Sequence, residues 1–459
     1  MSDESDSQST KSEPTLARTL GGWQIFLYGL GSMLGAGIYA LVGKAAGEMG
    51  NAVWLAFLAA MPAALLTGLS YASIGSRYAR AGGASYVTQR AYRKPIISYV
   101  VGLAVMMSGL TSMATGSLAI AGNIQSALGW TIPAKLLAIL IVAAVGLVIY
   151  RGIRESMWLN IVCTVIEAGG LIFIIVVGMR YWGGVNYFET PPVVDSGISS
   201  GITLLLVLQG ALLTFFSFIG FEDILNVSEE VKDPGRNIPF GLIGAMIVAT
   251  IIYIMVAVTA VSVLGWRELS EAKAPLMEVA RRAAPWFTGI DKVFGVVTIF
   301  AIGNTALLNY LMGSRLLYGM SNQGLMPRIL GKVHPKRRTP HIAIGVLFGV
   351  VSLLISIGNI KALAESTVLL LLAVFICVNI ALVILQRRHG ESKGGFEIPT
   401  VIPVLGALIC SLLFGVRIAK VFTSTDELDQ VAPKIALTLV AIAVALFYFL
   451  KPKKGVPPL

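Results

Sequence analysis

The sequence predicts an all-α, polytopic membrane protein of about twelve transmembrane helices, each needing about 20 apolar residues to cross the hydrocarbon, with two of them interrupted near their middles. Three observations predict it. Hydrophobic residues make up 56% of the 459 and charged residues only 13%, where ordinary soluble domains carry roughly 25% charge. Mean hydropathy over the whole chain is +0.80. Two of the apolar runs also carry small or polar residues at their centres, from Gly29 to Gly37 and from Ser217 to Asp223.

In order, apolar spans fall near residues 23–47, 52–75, 95–126, 134–150, 156–178, 201–227, 240–264, 293–317, 341–358, 363–385, 400–416 and 433–450. Ahead of them, MSDESDSQSTKSEPT has the low apolar content of a disordered tail. It is not a signal peptide, because no short apolar region and cleavage site follow a basic start. The only other sizeable piece outside the spans runs from Gly265 to Lys292. The two interruptions open the first and second groups of five spans. That divides the chain into a tail at 1–19, a first group at 20–182, a second at 201–388, two additional helices at 400–450 and a tail at 451–459.

The net charge of +11 reads as a topology signal and not as a nucleic-acid surface. Arg77, Arg80, Arg90, Arg93 and Lys94 follow the second span, and Arg328, Lys332, Lys336, Arg337 and Arg338 follow the eighth. Arg387 and Arg388 follow the tenth, and Lys451, Lys453 and Lys454 the last. With alternating spans all of these lie on one side. The positive-inside bias makes that side the cytoplasm, with both termini there and the chain in the cell membrane; lipid headgroups are the partners for the charge.

Cys163, Cys377 and Cys410 sit within apolar spans as small packed hydrophobes and form neither a metal motif nor a disulfide framework. His334, His341 and His389 lie near cytoplasmic ends, so neither metal nor histidine-base chemistry suggests itself. No enzyme activity and no cofactor are expected. A channel is disfavoured because no repeated filter or ring of charges appears.

The stretch YGLGSMLGAGIY, Tyr28 to Tyr39, decides more. A dinucleotide fingerprint would need a strand before the glycines and an acidic residue about 20 positions beyond, and the chain instead remains apolar through Val42, with Glu48 as the nearest acid. Gly31, Gly35, Gly43 and Gly47 repeat every four residues, which would serve close helix packing. The second disturbed stretch, TFFSFIGFED at Thr214 to Asp223, lies in the corresponding helix of the second group. Paired interruptions of this kind point to inverted repeats with a site at their interface.

GSMLGAGIYALVG in the first span, FFSFIGFEDILNVSEEVKDPGRNIP across the end of the sixth and SRLLYGMSNQGLMPRILGKVHPKRRTP after the eighth resemble the amino acid–polyamine–organocation (APC) superfamily of transporters. The likeness is strongest to the bacterial relatives of the cationic amino acid transporters, and it covers the chain from about Leu20 to Leu450. It implies a five-plus-five inverted repeat with discontinuous helices 1 and 6, two additional helices, alternating access and an amino acid as the small-molecule substrate.

A zwitterion needs donors for its carboxylate and acceptors for its ammonium, and a broken helix supplies both. Unwinding at Gly35, Ala36 and Gly37 would free backbone N–H groups at the positive end of a half-helix, and glycine leaves room for a ligand there. Carbonyls around Ser32 and Met33, and around Phe216, Ser217 and Ile219, would take the ammonium; by resemblance these are the family's binding positions. Exposed backbone at this depth is tolerable only where it lines a cavity. Phe216 or Phe218 is expected to act as a lid by the same resemblance, with Phe221 either packing or gating. Ser112, Asn304 and Thr305, from the third and eighth spans, are expected to line the side-chain pocket together with residues of the tenth.

Glu167 is the only ionisable residue within the fifth span, and an ionised carboxylate at the bilayer centre costs at least ~2.5 kcal/mol. The family's proton-coupled bacterial members often carry a lysine where Glu167 aligns, so the sign is reversed here. A carboxyl at this place can carry a proton, bind sodium or attract a cationic substrate. The expected coupling ion is H+, with proton-coupled uptake of small neutral L-amino acids as the main reading. The alternatives are exchange of cationic amino acids or polyamines, and sodium-coupled import. Glu222 is a gate candidate that would pair with Arg77 or Arg315, while Glu229 and Glu230 read as an exposed helix end.

Overall fold

The computed structural model describes residues 16–128, 131–192, 201–272, 274–357, 360–423 and 427–450. The residues at 1–15 and 451–459, most of the two expected tails, lie outside them. The described chain is helical almost throughout. It runs α1 (Gly22–Leu34), α2 (Ala36–Met49), α3 (Val53–Arg77), α4 (Gly83–Tyr92), α5 (Pro95–Leu128), α6 (Ala134–Arg151), α7 (Ile153–Gly178), α8 (Leu204–Phe215), α9 (Pro234–Glu271), α10 (Pro275–Ala283), α11 (Ile290–Asn322), α12 (His341–Ile357), α13 (Ile360–Arg387), α14 (Val401–Thr423) and α15 (Glu427–Leu450).

Among the described residues, nine helical stretches are long and apolar enough to cross a membrane, and His341–Ser356 and Ala436–Leu450 are shorter apolar helices. With the α1–α2 pair, whose halves are each too short to span alone, these account for the apolar spans read from the sequence. α9 is continuous only in outline: at Gly265 the backbone turns to φ 70° and the helix kinks, which ends the crossing where the seventh span was expected to end.

One continuous apolar core joins α1, α3, α5, α7, α9, α11 and α13. The outward faces remain apolar, with Leu147 on α6, Leu408 and Leu412 on α14 and Phe449 on α15 exposed. In a soluble protein such a surface would be an aggregation hazard; facing lipid it is the stable solution. α1 packs against α9 and α7, and α11 against α5 and α7, so α1 and α11 hold the centre of the bundle.

Small residues in the first span pack as closely as their spacing implied. A Cβ at Gly43 would lie 2.7 Å from the Leu269 carbonyl oxygen, and one at Gly47 would lie 3.1 Å from Ser270 Cβ. The packing reading and the broken-helix reading of this stretch therefore both hold, at different residues.

At the end of the bundle where residues 16–20 lie, three arginines of the basic segments, Arg77, Arg90 and Arg388, are engaged by acids of the α13–α14 connection. Arg77 pairs with Glu397, and Arg90 Nε donates to Glu391 at 2.8 Å. Burial works to raise the Glu391 carboxyl, but the Tyr78 hydroxyl and the Arg90 and Arg388 guanidiniums outweigh it and hold the group below the usual carboxylate range. Residues 16–20, the end of the segment read as a tail and its junction with the first span, also join this layer. Leu16 and Leu20 are buried, the Thr19 and Leu20 N–H groups donate to the Glu230 carbonyl, and Lys232 N–H donates to the Leu20 carbonyl.

Candidate functional site

The first break is a single residue. α1 ends at Leu34, Gly35 takes the non-helical pair φ −60°, ψ −144°, and α2 begins at Ala36. Unwinding is thus narrower than the three residues expected, because Ala36 and Gly37 already belong to the first turn of α2. That turn still leaves its leading N–H groups without intrahelical partners, and the last turn of α1 leaves its carbonyls so. The requirement for glycine at 35 is steric: a Cβ there would lie 2.0 Å from Thr305 Oγ1 on α11. The side chain of Ala36 is outside the described residues.

The second break is longer and built differently. α8, capped at its start by the Thr203 hydroxyl accepting from Leu206 N–H, stops at Phe215. A short 3-10 turn covers Phe216–Phe218, Ile219 is extended, and Gly220 sits at φ 124°, a conformation that costs glycine least. The chain then resumes as a 3-10 helix from Phe221 to Glu230, not as the α-helix expected. Its first turn is capped from within, since Glu222 Oε2 accepts the Gly220 N–H at 2.8 Å.

The two breaks touch. A Cβ at Gly37 would come 2.9 Å from Ser217 Cα, and one at Gly220 would come 2.7 Å from the Ser32 carbonyl oxygen. Ser32 Oγ donates to Asp223 Oδ2 at 3.3 Å. Between them and α5 and α11 lies a cavity of ≈ 60 Å³. Ser32, Met33, Gly35 and Gly37 form one wall of it, and Phe216, Ile219, Gly220, Glu222 and Asp223 another. Ser108 and Ser112 of α5, with Thr305 and Asn309 of α11, close the remaining sides. α13 contributes no described residue to the lining, so the expected share of the tenth span is absent among those residues.

The remaining expected site residues sort by position. Ser217 backs the cavity, its carbonyl accepting from the Tyr253 hydroxyl at 2.7 Å. Phe218 is buried against Tyr253, ring centroids 5.3 Å apart, and does not line the cavity; of the two rings expected as a lid, Phe216 alone faces it. Phe221 stacks on Phe375 at 5.2 Å and meets Tyr71 edge-on, which is a packing position. Asn304 turns away from the cavity toward Glu167, its Nδ2 lying 3.2 Å from Glu167 Oε1 and 3.1 Å from Thr164 Oγ1.

Glu167 is fully buried behind α1 and does not reach the cavity. Thr164 Oγ1, one turn before it, lies 3.2 Å from Asn160 Oδ1 and 3.3 Å from the Leu27 carbonyl of α1. The Tyr39 hydroxyl of α2 donates to the Glu167 backbone carbonyl at 2.9 Å. Gly31 admits this polar cluster, since a Cβ there would sit 2.1 Å from Thr164 Oγ1. Glu167 Oε2 and Asn304 Oδ1 are buried without a hydrogen-bond partner, so the cluster has acceptor capacity to spare.

Two expectations about acids are overturned. Glu222 does not pair with Arg77 or Arg315: Arg77 is taken by Glu397, and Arg315 by Glu230. Glu229 and Glu230 are not an exposed helix end. Glu230 is fully buried, and Glu229 accepts from Ala81 N–H and the Tyr318 hydroxyl. The 3-10 segment folds back under α11 and carries its acids inward, a consequence of tertiary packing that a charged stretch next to Lys232 does not announce.

The comparisons agree with this architecture. The family described as amino acid permease matches residues 20–447. A branched-chain amino acid permease, BcaP, of Bacillus subtilis (strain 168) is 28% identical over 428 residues, covering 88% of this chain and 89% of the relative. A methylthioribose transporter of the same organism is 30% identical over 86% of this chain and 87% of its own. Cationic amino acid transporter 9, chloroplastic, of Arabidopsis thaliana is 30% identical over 70% of this chain and 58% of its own. With two broken helices meeting at a cavity in a bundle of membrane-spanning length, and a match over nearly all of its residues, the chain belongs to the amino acid permease family of the APC superfamily and is a transporter, not an enzyme.

Proposed function

We propose that this permease takes up small neutral L-amino acids by alternating access, coupled to protons, across the cell membrane with both termini in the cytoplasm. The observation that carries the substrate reading is the size of the cavity. Its ≈ 60 Å³ is several times the ~10–15 Å³ that admits a single water, which suits a ligand as small as alanine or serine. The first turn of α2 presents N–H donors to the carboxylate. The Met33 and Ser217 carbonyls each keep one lone pair beyond the bond they already accept, and these with Asp223 are the acceptors for the ammonium. Phe216 forms the apolar wall. The corresponding breaks in the groups 20–182 and 201–388 support two inverted repeats that rock about this site.

Glu167 is the coupling residue in this reading. Its carboxyl accepts from Asn304, which bonds Thr164 and through it the Leu27 carbonyl of α1, while its backbone carbonyl accepts from Tyr39 of α2, so the residue is bonded to both halves of the first broken helix and a change in its charge bears on the α1 half through this relay. A second reading, exchange of cationic amino acids or polyamines, is favoured by one observation: Glu222 and Asp223 line the cavity, and among the described residues neither is in an ion pair.

The test is uptake into proteoliposomes from a panel of neutral and cationic amino acids and polyamines, under imposed pH or sodium gradients, with Glu167→Gln beside the wild type. The expected result is pH-driven accumulation of alanine-sized substrates by the wild type, and binding and exchange without pH-driven accumulation by Glu167→Gln, because a group that cannot titrate cannot link proton binding to the two open states. Sodium dependence in the wild type, or pH-driven accumulation by Glu167→Gln, would sink the proton assignment. Preference for lysine, arginine or polyamines would decide for the second reading.

A further inference from the structure

Tyr253, in the middle of α9, stands outside the cavity and outside every motif the sequence offered. Its hydroxyl lies within hydrogen-bond distance of two backbone carbonyls: Met33 at the end of α1, and Ser217 in the turn that ends α8. These are one freed carbonyl from each break. The side chain is fully buried, and its ring is held between Phe57 of α3 at 5.5 Å and Phe218 at 5.3 Å. A hydroxyl has one proton and two acceptors are in reach, so the proton is shared between the two broken helices. The ring packing fixes where that shared proton sits.

We propose that Tyr253 is a positioning residue that ties the two breaks together and sets the spacing of the carbonyl edges that receive the substrate. The inference rests on reading the cavity as the amino acid site, but the tie itself does not. Buried carbonyls at a break are costly unless they accept a bond; Ser32 and Asp223 also join the breaks, side chain to side chain, but among the described residues the Tyr253 hydroxyl is the group that reaches a backbone carbonyl of each. The ammonium acceptors are useful only at a fixed separation, and binding geometry is sensitive to sub-ångström displacement. Direct backbone contact at Gly37 and Ser217 brings the breaks together; the Tyr253 hydroxyl sets their register.

Tyr253→Phe keeps the ring between Phe57 and Phe218 and removes only the proton. In counterflow by proteoliposomes it should raise KM for the best neutral substrate about tenfold, the effect of losing one buried hydrogen bond, with Vmax within about twofold and the detergent-solubilised melting temperature within about 2 °C of wild type. A purely packing role would leave KM where it is. A second readout needs no substrate: with Cys163, Cys377 and Cys410 replaced by Ala, a thiol introduced by Ser217→Cys should react with a small methanethiosulfonate about fivefold faster in the Tyr253→Phe background than with Tyr253 present, because the second break opens locally more often. Unchanged KM or unchanged labelling overturns the proposal. If the wild type exchanges no amino acid, the proposed substrate fails instead, and the labelling rate alone decides for or against the tie.

Discussion

The two breaks do the same thing to a helix by opposite means. At Gly35 one residue departs from helical geometry, and an intact α-helix restarts immediately, so the cavity receives the positive end of α2. From Phe216 to Gly220 the chain unwinds over a whole turn and then resumes as a 3-10 helix led by Glu222 and Asp223. Both breaks leave acceptor carbonyls, but at the first edge of the cavity the backbone donors of α2 are added and at the second the carboxyls of Glu222 and Asp223. In the proposed site this difference would orient a zwitterion, since a ligand turned end for end would bring its carboxylate to the carboxyls and its ammonium to the α2 donors.

The strongest way to break this contrast is to fill the first edge. Gly35→Leu puts a side chain where Thr305 Oγ1 already stands and where the proposed carboxylate would bind, and uptake should fall by more than about a hundredfold while the protein still inserts, leucine being favourable in the membrane. Wild-type uptake would mean the donor edge is not used. Removing charge from the second edge should cost less. Asp223→Asn keeps a hydrogen-bonding group beside Ser32 but loses a charge-assisted bond of roughly 1.5–3 kcal/mol, so KM for amino acids should rise about tenfold to a hundredfold. KM for the matching hydroxy acid, which lacks the ammonium, should barely move; equal losses for both would deny Asp223 its role at the acceptor edge. The smallest effect on transport separates the two rings expected as a lid. Phe216→Ala should weaken apparent affinity by about tenfold or less and loosen selectivity for side-chain size, as a wall of the pocket is lost. Phe218→Ala should spare selectivity and instead lower the melting temperature, because truncating a buried Phe costs about 3–5 kcal/mol. Looser selectivity in Phe218→Ala would place that ring at the ligand after all.

The range of each interaction decided whether the sequence disclosed it. The positions of both breaks were legible because a helix interior does not carry Gly-Ala-Gly, or Gly-Phe-Glu-Asp, without a local reason, and the local reason shows in the residues themselves. Glu167 was legible because charge in an apolar span is rare. Tyr253 was not, since tyrosine in a span has many uses and only the fold brings its hydroxyl to Met33, 220 positions away in sequence. The same limit explains Glu230 and Arg315, 85 positions apart: each alone is an ordinary charge near a helix end, and burial of the pair depends on how the 3-10 segment folds under α11.

That last pair carries a consequence for the transport cycle. Arg315 and Glu230 meet through two contacts of 3.1 and 3.3 Å with neither side chain exposed, at the end of the bundle where the amino-terminal segment is pinned. Taking two charges out of water costs several kcal/mol per ion, and their attraction roughly returns it. When water reaches this end of the protein, the hydration that was forfeited is regained as the attraction is lost. The pair therefore fixes the seat of the 3-10 segment under α11 with high specificity yet adds little net free energy. In the proposed alternating-access cycle, reopening such a contact would draw little on the gradient that drives transport.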